Sequence, residues 1–203
     1  MNMIAIECST KICSVASFQD NVLFNLIETE ETHSHSKNLP LLIQTIIKDF
    51  NESNPIDTLA ISIGPGSFSS LRISISLAKG LAFGKDIDIL GVPTLHSLNF
   101  SLTDNRERYV ILDSYRDKCF IQRFKGQKPC DSPYIELLEN LKKMKLQIYG
   151  FSDSLKESEK IIPSSVLIGK YAIKNREELL NNKINPIYLS KNKYVKINDS
   201  RSK

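Results

Sequence analysis

Three residues near the front of the chain have the types that phosphate and magnesium chemistry uses. The alternating run Met3–Cys8 gives way to a turn, and Glu7, Ser9 and Thr10 sit together there. An acid and two hydroxyls at a strand end can face a phosphate and its magnesium ion. Ordinary turn chemistry accounts for the same residues. A second candidate is Gly64-Pro65-Gly66-Ser67-Phe68-Ser69, a glycine turn between an apolar run and a helix. It fails both phosphate-loop spacings: serine stands where a dinucleotide fingerprint wants its third glycine, and no Gly-Lys-Ser/Thr follows. Gly64, Pro65 and Gly66 therefore read either as a tight structural turn or as a weak anion site at the amides of the next helix.

Nucleophilic and metal chemistry find less support. No serine lies in a GxSxG elbow, and His96 stands alone after Pro93-Thr94-Leu95, where it reads as a surface or satisfied helix histidine. His33 and His35 form an HxH pair in the polar linker 28–36, which would ligate a metal only if a carboxylate joined it and otherwise reads as solvated. The four cysteines, Cys8, Cys13, Cys119 and Cys130, form no CxxC pair, and no histidine is spaced beside them for zinc. Reduced, mostly buried thiols are the expectation, with no disulfide framework and no metal ligands. No constellation makes a self-sufficient enzyme, so no catalytic residue is assigned.

These groups can act only through the elements that carry them. Ile12–Phe18 and Val22–Ile27 follow the first run as two strand-like stretches joined by Gln19-Asp20-Asn21, an antiparallel meander. Residues 37–50 read as a helix, because Leu39, Leu42, Ile43, Ile46, Ile47 and Phe50 recur at helical spacing and Pro40 falls in the first turn. Leu41 alone points away from that stripe. Leu59–Ile63 reads as a buried strand, and residues 70–84 as a second helix. On this helix Leu71, Ile75, Ala78 and Ala82 share a face that Ile73, Leu77 and Leu81 widen to roughly 200°, against the ~100° that one-sided burial requires. Only Arg72, Ser76, Lys79 and Gly80 read as a wet edge. Such a helix is covered twice, by its own sheet and by either the second half of the chain or a partner. Residues 3–84 thus read β-β-β-α-β-α.

Beyond Gly84 the signals are shorter. Ile89–Val92, Tyr109–Leu112, Lys118–Phe124, Leu146–Phe151 and Ser165–Ile168 read as strands, with helical stretches at Pro93–Leu102, Pro133–Lys145 and Tyr171–Asn181. Two domains, 1–102 and 103–203, fit this alternation. The 203 residues are 41% hydrophobic, enough for a proper core. No apolar run approaches the ~20 residues of a membrane span, and the first ten residues lack a signal-peptide pattern, so a cytoplasmic protein without membrane contact is expected. Residues 1–100 carry a net charge of −4 and residues 101–203 a net +8. The stretch Lys191–Lys203 alone carries +4, with Tyr194 among its lysines, suited to RNA phosphates or simply to solubility.

Five stretches, IAIECSTKICSVA, HSKNLPLL, GPGSFSSLRISISLAKGLA, GVPTLHSL and ILDSYRDKCF, resemble in order and separation the bacterial TsaB (YeaZ) family of tRNA threonylcarbamoyladenosine biosynthesis proteins. The likeness is dense over residues 3–118. Pro186-Ile187-Tyr188-Leu189 is similar to the family's closing P-x-Y-L-R, with Ser190 where arginine is usual. The resemblance implies an α/β, actin-like ATPase (ASKHA) fold of two β-β-β-α-β-α-type domains, the second reduced. It also implies a non-catalytic scaffold for a paralogous catalytic subunit, TsaD, with a TsaE-like ATPase completing the complex and tRNA engaged indirectly. In that family the two N-terminal helices pair with those of the partner, which here implies an interface on Leu41, Thr45, Arg72, Ile73, Ser76, Leu77, Gly80 and Leu81. The paralogue's metal-binding histidines align with Thr94 and Leu98, neither a strong ligand for iron or zinc. Glu7 replaces the family's usual Asp, and Ser69-Ser70 its usual Thr-Gly, which argues against independent nucleotide hydrolysis. ATP or ADP at the interface with a partner stays open. The competing readings are an ATP-dependent or metallopeptidase-like enzyme of the same superfamily, and a homodimer closed through the wide helix.

Overall fold

The computed structural model describes residues 1–30 and 35–189. His33, Ser190 and the basic stretch Lys191–Lys203 lie outside the described residues. The first sheet is built from β1 (Met3–Glu7), β2 (Ile12–Gln19), β3 (Val22–Glu30), β4 (Thr58–Gly64) and β5 (Asp88–Pro93), in the order β3-β2-β1-β4-β5. β1, β2 and β3 form the expected antiparallel meander, and β4 and β5 add in parallel. Asp20 and Asn21, both at positive φ, make the two-residue turn between β2 and β3. The first seven residues of β2, and all of β1 and β4, are buried because helices cover both faces of the sheet.

On one face Ile4, Ile6, Val15, Leu59 and Ile61 pack against α1 (His35–Ile46) and α2 (Phe68–Lys85). On the other face Met3, Ala5, Ala16, Phe18 and Ala60 pack against α5 (Ser165–Lys174) and α6 (Arg176–Leu180). A Cβ on Gly169 of α5 would come within 2.2 Å of the Phe18 ring, so glycine is what lets this helix lie down on the sheet. The second half of the chain thus covers the far face of the first sheet. It leaves the outer side of α2 open, apart from the stretch after α6: the Ile187 amide donates to the Ile63 carbonyl at 2.7 Å, and Tyr188 reaches Arg72.

The second sheet holds β6 (Glu107–Asp113), β7 (Lys118–Lys125), β8 (Lys128–Pro129), β9 (Tyr134–Leu137) and β10 (Gln147–Phe151). β6 pairs antiparallel with β7 and parallel with β10, while β9 pairs antiparallel with β7. The order β9-β7-β6-β10 therefore repeats β3-β2-β1-β4 without a counterpart of β5, and the two-residue β8 pairs with the end of β7. α3 (Thr94–Phe100) sits between the sheets, with Leu95 and Leu98 against Val110, Leu112 and Phe124, and the short α4 (Leu138–Leu141) caps the far face. This is the α/β actin-like ATPase fold with its second repeat reduced.

Local departures from the sequence reading have local causes. The helix placed at 37–50 starts two residues earlier, at His35, and ends in a 3-10 turn at Ile47–Asp49; α2 begins at Phe68 rather than at residue 70. Ser165–Ile168, read as a strand, opens α5 because Ser164 caps it and its buried face docks on the first sheet. Pro133–Lys145, read as a helix, gives four residues to β9 before α4, since Tyr134–Leu137 pair with Lys118–Ile121.

Candidate docking face and buried side-chain clusters

α2 buries Leu71, Ser74, Ile75, Ala78 and Ala82 against its sheet, while Ile73, Leu77 and Leu81 are half-buried along its flank. Its outward stripe reads Phe68, Arg72, Ser76, Lys79, Gly80 and Phe83 at helical spacing, and every one of these residues is exposed. Phe83 is 91% exposed and Phe68 52%. Nothing lies within 4 Å of where a Gly80 Cβ would stand, so the helix backbone is bare at that point. On the neighbouring α1, Leu39, Ile43 and Ile46 are buried while Leu41 and Thr45 face out, and the Thr45 hydroxyl donates to the Leu41 carbonyl at 2.9 Å.

The structure adds an aromatic cluster at the start of α2 that the sequence reading did not assign. The Arg72 guanidinium lies 3.9 Å from the centre of the Phe68 ring, and its Nε donates to the Tyr188 hydroxyl at 2.9 Å. The Phe68 and Tyr188 rings are 4.8 Å apart. Tyr188 comes from 116 residues further along, which is why no local pattern announced it; Phe68 and Phe83 were visible as apolar residues in phase with Arg72. Arg72 is thereby held along the helix, and an aromatic-rich, small-residue surface stays outside.

At the β1–β2 turn the three candidate phosphate ligands do not share an opening. Glu7 is fully buried and Ser9 nearly so, and the Ser9 amide donates to Glu7 Oε1 at 2.5 Å. Thr10 instead accepts from the Ile12 amide and lines a cleft of about 400 Å³ near the start of α1 and α2 with Lys11, His35, Ser36 and Ser67. The glycine turn packs directly on Ser9: the Ser67 amide donates to the Ser9 carbonyl at 2.7 Å, and a Cβ on Gly66 would lie 2.5 Å from that oxygen. Glu7 and Ser9 are thus closed off from solvent and do not line the cleft that Thr10 lines, and Glu7 Oε2 and Ser9 Oγ are buried without a hydrogen-bond partner among the described residues. Nearby, Glu28 Oε1 accepts from both Ser14 and Ser164, and the Ser165 amide donates to Ser14 Oγ, tying the first sheet to the start of α5.

Burial raises the Glu7 carboxyl above its ordinary value of 4.5, outweighing the hydrogen bonds from Ser9 and Ser62. Its stabilising contribution is complete below that ordinary value and is lost as pH rises through the raised one. Glu7→Gln keeps the acceptor for the Ser9 amide, so it is expected to raise the melting temperature at neutral pH. The gain should vanish below the ordinary value; an equal gain at both ends of a thermal-melt pH series would contradict this account of Glu7.

His96 is half-buried, with its Nδ1 3.2 Å from the Tyr171 hydroxyl and its ring edge-on to Phe124 at 5.3 Å. Burial lowers its pKa and pushes Tyr171 up to about 12, so the pair is a neutral contact between α3 and α5. Thr94 and Leu98, the positions aligned with the paralogue's histidines, are both buried in α3. His35 departs from the solvated linker expected for it: it is 5% exposed at the start of α1, where a ring nitrogen comes within 4.8 Å of the Cys8 and Cys13 sulfurs. Cys119 is buried as well, and Cys130 is exposed.

Similarity to known proteins follows this architecture. The family model for TsaD, tRNA N6-adenosine threonylcarbamoyltransferase, matches residues 16–127, more than half of the chain. The tRNA threonylcarbamoyladenosine biosynthesis protein TsaB of Escherichia coli is 36% identical over 101 residues, 48% of this chain and 42% of that protein. A tRNA N6-adenosine threonylcarbamoyltransferase of Clostridioides difficile is 32% identical over 106 residues, 44% of this chain and 31% of that protein. The chain thus spans less than half the length of these curated relatives in the matched region. Among solved structures, YeaZ from Pseudomonas aeruginosa superposes with a TM-score of 0.70 at 18% identity, covering 93% of this chain and 99% of that one. An uncharacterized protein with similarity to peptidase YEAZ superposes at 0.74 with 15% identity and the same coverages. Both show the fold. No helix among the described residues is long and apolar enough to cross a membrane. The match over residues 16–127 places the chain in the TsaD family, and its likeness to TsaB and YeaZ, first read from its motifs, holds in both sequence and fold.

Proposed function

We propose that this chain is a non-catalytic subunit in the formation of N6-threonylcarbamoyladenosine in tRNA, supporting a TsaD-like catalytic subunit that docks on the outer face of α1 and α2. The observation that carries this reading is the uncovered stripe of α2. Both faces of the first sheet are closed by the chain's own helices, yet Phe68, Arg72, Ser76, Gly80 and Phe83 stay outside. Aromatic and arginine side chains are the usual anchors of an interface, and a bare glycine lets a second helix approach closely. Leu41 and Thr45 on α1 extend the same face, with Ile73, Leu77 and Leu81 forming its half-buried flank.

The chain alone turns over no ATP in this reading, since Glu7 and Ser9 are closed off; any ATP or ADP is held with the partner, and a TsaE-like ATPase and tRNA join through the catalytic subunit. In isolation the same face is available to a second copy. Co-expression with a TsaD-like subunit should yield a stoichiometric complex on affinity purification, and cells lacking this chain should lose the modified nucleoside. A chain that purifies alone beside a folded TsaD-like subunit, or cells that keep the modification, would overturn the proposal.

A further inference from the structure

Cys8 and Cys13 flank the β1–β2 turn, and their sulfurs lie 3.6 Å apart. α1 begins beside them, bringing a ring nitrogen of His35 within 4.8 Å of both. All three side chains are buried, at 0%, 2% and 5% exposure. Among the described residues no other group of three histidine, cysteine or carboxylate side chains converges in this way. Sequence spacing hid the cluster because His35 joins the two cysteines only after the β1–β2–β3 meander has folded.

The geometry points to a zinc site: we propose that Cys8, Cys13 and His35 bind one Zn2+ ion, with a fourth position open to water from the cleft that His35 lines. Two sulfurs bound to tetrahedral zinc at ~2.3 Å stand ~3.8 Å apart, close to the separation already present. His35 Nε2 lies 3.3 Å from the Ile12 carbonyl, the kind of contact that orients a ligating imidazole and selects its tautomer. Loading releases both thiol protons to solvent and leaves Zn2+ with two thiolates and a neutral imidazole. The buried site then carries no net charge, which removes the main obstacle to placing an ion there. The cleft of about 400 Å³ lined by Thr10, Lys11, His35 and Ser36 gives the ion a way in. Once bound, the metal would pin the start of α1 to the β1–β2 turn. This inference does not rest on the partner-docking reading.

The test uses the full chain without a histidine tag, reduced and then titrated with Co2+ as a spectroscopic stand-in for Zn2+. One equivalent should bind with an intense thiolate-to-cobalt absorption band. Cys8→Ser and Cys13→Ser should each lose affinity by at least ~100-fold, and His35→Gln by at least ~10-fold, while Cys119→Ser and Cys130→Ser bind as the parent. X-ray absorption of the Zn2+-loaded parent protein needs no variant and should show two sulfurs and imidazole nitrogen around the metal. A cobalt spectrum without the thiolate band, affinity unchanged in folded Cys8→Ser or Cys13→Ser, or a zinc sphere of nitrogen and oxygen only would overturn the proposal.

Discussion

Gly66→Ala is expected to destabilise the fold by about 3 kcal/mol or more, the upper end of what overpacking costs. The added methyl carbon would stand 2.5 Å from the Ser9 carbonyl oxygen, 2.6 Å from Ser9 Cβ and 2.9 Å from Ser9 Cα. Two of those atoms are backbone, held in place because the Ser67 amide donates to the same carbonyl, so no rotamer change relieves the clash. Ser9 is itself fixed by the hydrogen bond that its amide donates to the buried Glu7 carboxyl. For a chain of this size the loss corresponds to a melting temperature lower by about 6–12 °C. Thermal melts followed by circular dichroism would measure it. An unchanged melting temperature would mean that the elbow does not pack on the β1–β2 turn.

At Gly80 the two directions of change separate fold from function. Nothing occupies the space beside it, so Gly80→Ala removes a helix-interior glycine without a clash and should stabilise the chain by about 1 kcal/mol. Gly80→Trp directs its Cβ into the same open space and raises a bulky ring on the exposed stripe assigned to the partner. It should weaken association with a TsaD-like subunit by at least about 100-fold, roughly 2.7 kcal/mol, while the melting temperature of the free chain stays near that of the parent. Calorimetric titration of the two purified proteins reads the first quantity. Parent-like affinity for Gly80→Trp would remove α2 from the interface.

The parts of this molecule that were legible in its sequence are those in which one local period decides. Leu39, Ile43 and Ile46 could share only a helical face, the alternation of β1 and β2 could serve only a meander, and Gly64-Pro65-Gly66 could only break β4 before α2. The second repeat was harder because its elements are short. The apolar Ser165–Ile168 suits a strand by composition and becomes helical through docking on Phe18 and its neighbours, with Gly169 allowing the approach. The candidate site divides in the same way. Periodicity on α2 put Arg72, Ser76 and Gly80 on its solvent edge and only the family resemblance made that edge an interface, whereas Tyr188 arrives at Arg72 through a return of the chain that no window on α2 contains. His35 was misread because a polar sequence on either side hides a side chain that the meander buries beside Cys8 and Cys13.

The docking claim is tested most directly by hydrogen exchange of the chain, free and mixed with a TsaD-like subunit. The account predicts new protection confined to α1, α2 and the stretch around Tyr188, with the exposed edge strand β3 unchanged despite its outward Val22 and Phe24. Protection centred on β3 or on the second sheet, with α1 and α2 exchanging as in the free chain, would contradict it.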